Sequence, residues 1–324
     1  MSTNRNRLAR RALDLSPLIL LVVLTVVFAI VDPRVVSTAS LINIAAQATP
    51  IAVLALGALI VLLTAGIDLS AGVGVAFCAV LVASLIDAGF GLSGALSIGL
   101  VVMVVVGLVN GSVIALLKIP PFVTTLAMMV VLQGATLAVA SKGVLMLKEP
   151  WLRFVGVERS LGLPHVILAT LVIALLAALL MRQTRFGLRT YALGSDPAAA
   201  ELAGIPVTRH TILVYGASGL FVFLTAAIMI SRVPVVTPNI GGTSLLLDAI
   251  AAAVLGGTSI FGGRGTVWGA VVGALIVSLL TTALRIFGTD PSSLELWKGA
   301  IIMAALLADA AMTFGKARLV EAAR

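Results

Sequence analysis

Charge is what this chain has least of. Only 10% of its 324 residues are Asp, Glu, Lys or Arg, against about 25% in a soluble domain. That scarcity excludes the two or three soluble domains that the length alone would allow. Cysteine is nearly absent. The single Cys78 excludes an intrachain disulfide and any multi-cysteine metal site, and it lies in an apolar run as a small packed hydrophobe. The two histidines, His165 and His210, are expected at span ends. No His-Glu-x-x-His, Walker A or Gly-x-Ser-x-Gly pattern occurs. No catalytic set emerges, so any ATP hydrolysis must fall to another chain. Aromatics make up 5% of the residues and do not interleave with the basic ones, so the net charge of +8 does not read as a nucleic-acid surface.

What remains is hydrophobic. Sixty per cent of the residues are apolar, in many runs close to the ~20 residues that a bilayer crossing needs. The 31 glycines suit close helix approach in lipid. The natural parse is one polytopic all-α membrane domain over residues 1–324. The first span is expected at Ser16–Val31, as a retained signal anchor, since no small-x-small cleavage site follows before Asp32-Pro33. A polar intermediate stretch, Ser37–Pro50, precedes a second span at Ile51–Ala65. Further spans are expected at Ala71–Leu85, Leu96–Leu117, Phe122–Ala140, Pro164–Met181, Thr211–Ser231, Ser244–Leu255, Val267–Leu284 and Leu294–Leu307.

About ten spans put both termini and the segment Arg182–His210 on one side. That side then holds Arg5, Arg7, Arg10, Arg11, Lys118, Arg182, Arg185, Arg189, Arg209, Arg264, Lys316, Arg318 and Arg324, which makes it cytoplasmic by the positive-inside rule. The loop with Lys142, Lys148, Glu149, Arg153, Glu158 and Arg159 is mixed in sign and suits the outer face.

The Arg182–His210 segment has a helix built into it. Ser195 and Asp196 are good N-caps, Pro197 suits the first turn and Gly204 the stop. Between them Ala198-Ala199-Ala200-Glu201-Leu202-Ala203 is strongly helix-forming. A helix of two turns, roughly 10 Å long, is not stable alone. It must dock, either on its own protein or in a cleft on a partner.

Polar residues in or near spans are the candidates for a solute path: Asn43, Gln47, Thr64, Asp68, Ser70, Asn110, Gln133, Asp248 and Thr258. An ionisable group inside a membrane domain is a functional hypothesis by default. Asp68 with Ser70 also reads as a helix cap after the break at Gly66, and Asp248 carries the same two readings. Amides serve as glue between helices or as partners for a hydroxylated solute. Asn43 and Gln47, four apart, share a helix face. The breaks Ala65–Gly74 and Gly256–Gly265 are placed as if by an internal repeat, although the two stretches are not alike in sequence.

Several stretches carry a family resemblance. They are Thr64-Ala65-Gly66-Ile67-Asp68-Leu69-Ser70-Ala71-Gly72, Gly107-Leu108-Val109-Asn110-Gly111 and Ile119-Pro120-Pro121-Phe122-Val123-Thr124-Thr125-Leu126. After them come Thr184-Arg185-Phe186-Gly187, Ala199-Ala200-Glu201-Leu202-Ala203-Gly204-Ile205, the run from Leu247-Asp248 to Thr258-Ser259, and Gly262-Gly263-Arg264-Gly265. In this order they resemble the inner-membrane permease subunits of bacterial ABC importers for ribose, xylose, galactose and related solutes. The family usually has Gly where Ala65 stands and Val where Ala71 stands.

The resemblance implies a ten-span fold akin to vitamin B12 importers, in the bacterial inner membrane. It implies no cofactor in this chain, with ATP and Mg held by a partner ATP-binding cassette ATPase. The other implied partners are a second permease subunit, membrane lipid and a periplasmic or lipid-anchored solute-binding protein. Carried onto this sequence, Asp196, Pro197, Ala199, Ala200, Glu201, Leu202 and Gly204 would form the element that couples to the ATPase. The alternative is a secondary transporter or channel without an ATPase, which needs ionisable relays in mid-span. Only Asp68 and Asp248 are candidates for that role.

Overall fold

A computed structural model describes residues 15–140, 143–160 and 162–304. Helix α1, Ser16–Val31, starts with Pro17 in its first turn and ends at Asp32. The Asp32 side chain caps a short 3-10 turn, Pro33–Val36. Ser37 then caps α2, Thr38–Leu63, by accepting from the Ser40 amide.

α2 is the central helix. Its residues from Ala48 to Leu63 are buried almost throughout, as expected for a helix that is apolar on every side. The sequence places a boundary at Pro50, but α2 runs straight through it. The reason is local. Proline removes the amide that would bond the carbonyl four residues back, and the Thr49 hydroxyl donates to that carbonyl, Ala46 O, at 2.8 Å. A neighbouring hydroxyl restores what the proline removes, as membrane helices tolerate. The expected stretch Ser37–Pro50 and the expected span Ile51–Ala65 are therefore one helix.

The other elements follow the hydrophobic runs. They are α3 (Ser70–Asp87), α4 (Leu92–Leu117), α5 (Pro121–Val139), β1 (Leu145–Met146), α6 (Pro150–Gly156), β2 (Arg159–Ser160) and β3 (Leu163–Pro164). Next come α7 (His165–Gln183), α8 (Arg185–Ser195), α9 (Pro197–Leu202) and α10 (Val207–Arg232). β4 (Val235–Val236), α11 (Gly242–Leu255), α12 (Val267–Ile286) and a helix α13 over 291–304 complete the described chain. Seven of these helices, α2, α3, α4, α5, α7, α10 and α12, are long and apolar enough to cross a bilayer; α1 and α11 are shorter apolar helices.

The bundle has two ends. At one, β1 pairs antiparallel with β4, Leu145 opposite Val236, and β2 pairs with β3. This strand-and-loop cap holds the mixed-charge residues Lys148, Glu149, Arg153, Glu158 and Arg159. At the other end the amide of Gly263 donates to Leu63 O at the close of α2 (2.9 Å), and Tyr191 Oη of α8 donates to Gly265 O (2.8 Å). The chain positions of Lys118, Arg182, Arg185, Arg189, Arg209 and Arg264 put them at this second, basic end. Arg5, Arg7, Arg10, Arg11, Lys142, Lys316, Arg318 and Arg324 lie outside the described residues.

Small residues set the helix contacts. α4 and α10 touch backbone to backbone: a side chain at Gly107 would run into Tyr215 O, and one at Gly219 into Met103 O. Lipid offers no hydrophobic drive to associate helices, so such close packing supplies the contact energy.

Candidate functional site

α2 ends at Leu63 and α3 begins at Ser70. The connection between them turns on Ala65, whose φ of +57° lies in the left-handed region. An L-residue with a Cβ is disfavoured there by roughly 1–2 kcal/mol. The chain then returns into the bundle and presents Asp68 beneath the first turn of α3.

Asp68 is the centre of a polar knot. Its Oδ1 accepts from the Ser70 amide (3.1 Å) and the Ser70 hydroxyl (2.6 Å), so it caps α3. Its Oδ2 accepts from the Ser218 hydroxyl of α10 at 3.0 Å. Asn110 of α4 donates through Nδ2 to Ser70 Oγ at 3.0 Å. One residue earlier, Ile67 O accepts from Thr125 Oγ1 of α5 (3.2 Å) and from Tyr215 Oη of α10 (3.5 Å). A single non-helical connection is thereby tied to α3, α5 and α10, and through Ser70 to α4. The carboxylate is held by hydroxyls, amides and the positive end of α3. Asn110 is 1% exposed and its Oδ1 has no partner, an open acceptor in an otherwise paired cluster.

The other candidates are spread out. Gln47 Nε2 donates to Asn43 Oδ1 at 3.1 Å, so the two do share a face. Asn43 also lines a cleft of about 350 Å³ with Arg159 and Pro164, at the strand-capped end. The Thr64 hydroxyl, just past the end of α2, donates back to Val61 O at 2.8 Å. Gln133 is on the exposed side of α5. Thr258 is buried, with its hydroxyl unpartnered, in the glycine-rich turn at the basic end. Asp248 pairs with Lys298 of α13, Nζ to Oδ1 2.8 Å, and Lys298 also reaches Glu295 at 2.8 Å. Lys298 is 5% exposed. Of the nine candidates, Asp68, Ser70 and Asn110 form one group and Asn43 and Gln47 a separate pair, and the other four stand apart from both.

Sequence reasoning overlooked Lys298, Ser218, Tyr215 and Thr125. Lys298 carried a signal, since a lone lysine inside an apolar run demands an acidic partner. Ser218 sits in the small-residue cluster Gly216–Gly219, where helices approach closely. Thr125 and Tyr215 carried no signal, because their acceptor is a backbone carbonyl.

At the basic end, α9 has the built form the sequence predicts. Asp196 Oδ1 accepts from the Ala198 and Ala199 amides, both at 3.0 Å. Ser195 does not cap; its hydroxyl turns back to Tyr191 O at 2.9 Å. Gly204, at φ +77°, ends the helix, and the Gly204 amide donates to Glu201 O at 2.9 Å. Ala200 is the buried residue of the six, resting against the protein. Pro197, Ala199 and Glu201 are exposed, and Leu202 is 91% exposed.

α9 is mounted on a helix that the sequence reading treated only as an aqueous segment. Thr184 caps α8 by accepting from Phe186 and Gly187. Thr190 Oγ1 lies 3.0 Å from His210 Nε2 of α10. Burial pushes the Tyr191 phenol up against the lowering pull of Arg182, so the hydroxyl keeps the proton it donates to Gly265 O. A second cleft, of about 630 Å³, opens at the strand-capped end between Lys148, Glu149, Arg153, Val157, Ile230 and Pro234.

Residues 40–308 match the family model for the permease component of the branched-chain amino acid transport system. The ribose import permease protein RbsC of Bacillus subtilis is 35% identical over 91% of this chain and 92% of its own length. The fructose import permease protein FrcC of Rhizobium meliloti is 34% identical over 90% of this chain and 84% of its own. The galactose/methyl galactoside import permease protein MglC of Haemophilus influenzae is 33% identical over 90% and 92%. No solved structure gives a significant match.

Proposed function

Because the chain belongs to the branched-chain amino acid transport system permease family, we propose that it is the membrane-spanning subunit of an ATP-driven importer for a small hydroxylated solute, a sugar or a sugar-like molecule. The observation that carries the reading is α9: a capped helix, exposed on all but one residue, carried on α8 at the basic end of the bundle. A helix of six residues does not persist in water unaided. Its apolar, nearly naked Leu202 suits a cleft on a partner better than open solvent.

That partner is an ATP-binding cassette ATPase, which binds ATP and Mg on its own residues. A second permease subunit and an extracytoplasmic binding protein complete the importer, and the strand-capped end with its cleft faces the binding protein. The seven long apolar helices, the two shorter ones and α13 together make ten, in keeping with a vitamin B12 importer-like fold in the bacterial inner membrane. An even number puts both termini on the side of α9, in the cytoplasm. The solute class follows from the relatives' names and from the amides and hydroxyls of the interior. A gradient-driven transporter would need ionisable groups free to load and unload. Asp68 is tied to three donors and Asp248 to Lys298, which speaks for the ATP-driven reading.

Purification of the tagged chain from its native membrane tests the proposal. An ATPase carrying a Walker A sequence should co-purify, and Glu201→Arg should uncouple uptake from ATP hydrolysis without loss of membrane insertion. A chain that comes out alone, with uptake indifferent to Glu201→Arg, would reduce α9 to a helix packed on its own protein.

A further inference from the structure

α8 touches the bundle at three places, and they are not equivalent. At its start Gly187 packs on the backbone of Met181, forming the elbow with α7. In its middle Thr190 meets His210 at the foot of α10. At its end, where α9 begins, it meets the close of α2. A Cβ at Gly194 would collide with Leu63 O, and one at Gly263 would lie 2.8 Å from Ser195 Oγ. Leu63 O is meanwhile bonded to the Gly263 amide (2.9 Å), and Tyr191 Oη to Gly265 O (2.8 Å). The last turn of α8, the last residue of α2 and the turn between α11 and α12 therefore form one joint without slack.

Leu63 is also the residue from which the Thr64–Leu69 connection departs. The far end of that connection is the Asp68 knot, fixed to α3, α4, α5 and α10. The joint holds one end of the connection and the knot holds the other. Between them lies left-handed Ala65, the only non-glycine besides Lys118 at positive φ among the described residues. Gly194 of α8 meets Leu63 O and the Gly263 amide with no side chain between them, so little slack separates α8 from this connection and from the α11–α12 turn. Tyr191 is the one side chain of α8 that reaches across to the α11–α12 turn by a hydrogen bond.

We propose that movement of α9 enters the bundle through this joint, and that Tyr191 is the positioning residue that keeps α8 engaged with the α11–α12 turn while Gly194 bears on Leu63. The inference rests on the reading of α9 as the ATPase contact. It adds the route by which that contact reaches the interior.

The test uses the complete importer in proteoliposomes, with solute taken up per ATP hydrolysed as the readout. Tyr191→Phe removes only the hydroxyl. It is expected to leave assembly, thermal stability and ATPase stimulation by loaded binding protein within about twofold of the parent, and to lower the solute-to-ATP ratio at least fivefold. Gly194→Ala attacks the joint from its other side and is expected to lower the same ratio in whatever fraction assembles. A merely structural role would lower stability and both rates together, leaving the ratio unchanged, and an unchanged ratio in Tyr191→Phe overturns the proposal. If the parent complex itself shows no ATP-dependent uptake, the reading of α9 fails and the joint falls with it. If the parent couples and both variants couple equally, only the joint falls.

Discussion

The Ser218 hydroxyl of α10 donates to Asp68 Oδ2 at 3.0 Å across 150 residues of chain. It joins the break between α2 and α3 to the helix that packs backbone to backbone on α4. Ser218→Ala removes a charge-assisted bond to a carboxylate that has no nearby substitute. The expected loss is about 1.5–3 kcal/mol, read as a lower unfolding temperature of the purified protein. Ser218→Thr should retain most of the stability, since the hydroxyl is kept. An unchanged unfolding temperature in Ser218→Ala would mean that the knot does not hold α10.

The Asp248–Lys298 pair ties α11 to α13 where little water reaches. Lys298→Met strands the Asp248 carboxylate and is expected to cost about 3–5 kcal/mol. Lys298→Met combined with Asp248→Leu should recover most of that, because an apolar pair of similar bulk replaces both charges. Thermal unfolding of the two variants decides the matter. A double variant no better than the single would show that the charges serve more than each other.

Ala65 occupies a conformation that glycine enters freely. Ala65→Gly is expected to stabilise the protein by about 1 kcal/mol, while Ala65→Val should destabilise it by more. If Ala65→Gly raises stability yet slows transport, the strain itself serves the conformational cycle.

Asn110 leaves one acceptor open inside the knot, whereas Asn43 and Gln47 satisfy each other. Asn110→Ala is therefore expected to slow uptake roughly fivefold, the equivalent of about 1 kcal/mol for one lost hydrogen bond. Asn43→Ala alone should do little. If replacing Asn43, Gln47 and Asn110 together leaves uptake unchanged, these amides only hold helices together.

The seven long apolar helices were legible because apolar length is read directly from sequence, and α9 because its cap, proline and stop are all local signals. Pro50 misled because proline's usual effect on a helix is strong and its remedy, the Thr49 hydroxyl, is visible only in three dimensions. α8 went unseen because Arg185–Ser195 is too polar to register as a span, and its burial comes from contacts with Leu63, His210 and Gly265. The Asp68 cap was legible two residues away at Ser70. Its bonds to Ser218 and, through Ser70, to Asn110 were not, since they join residues 150 and 40 positions apart along the chain. Lys298 is the one omission that the sequence could have corrected, by matching a lysine in one apolar run to an aspartate in another.

On the reading proposed above, ATP hydrolysis on a partner chain drives solute through this bundle by way of α9. Uptake into proteoliposomes holding the chain with its ATPase, loaded binding protein outside and ATP inside, tests it most directly. The expected result is uptake that needs all of these components, ignores proton and sodium gradients, and is abolished by Glu201→Arg. Uptake by the chain alone, driven by an ion gradient and indifferent to ATP, would contradict it.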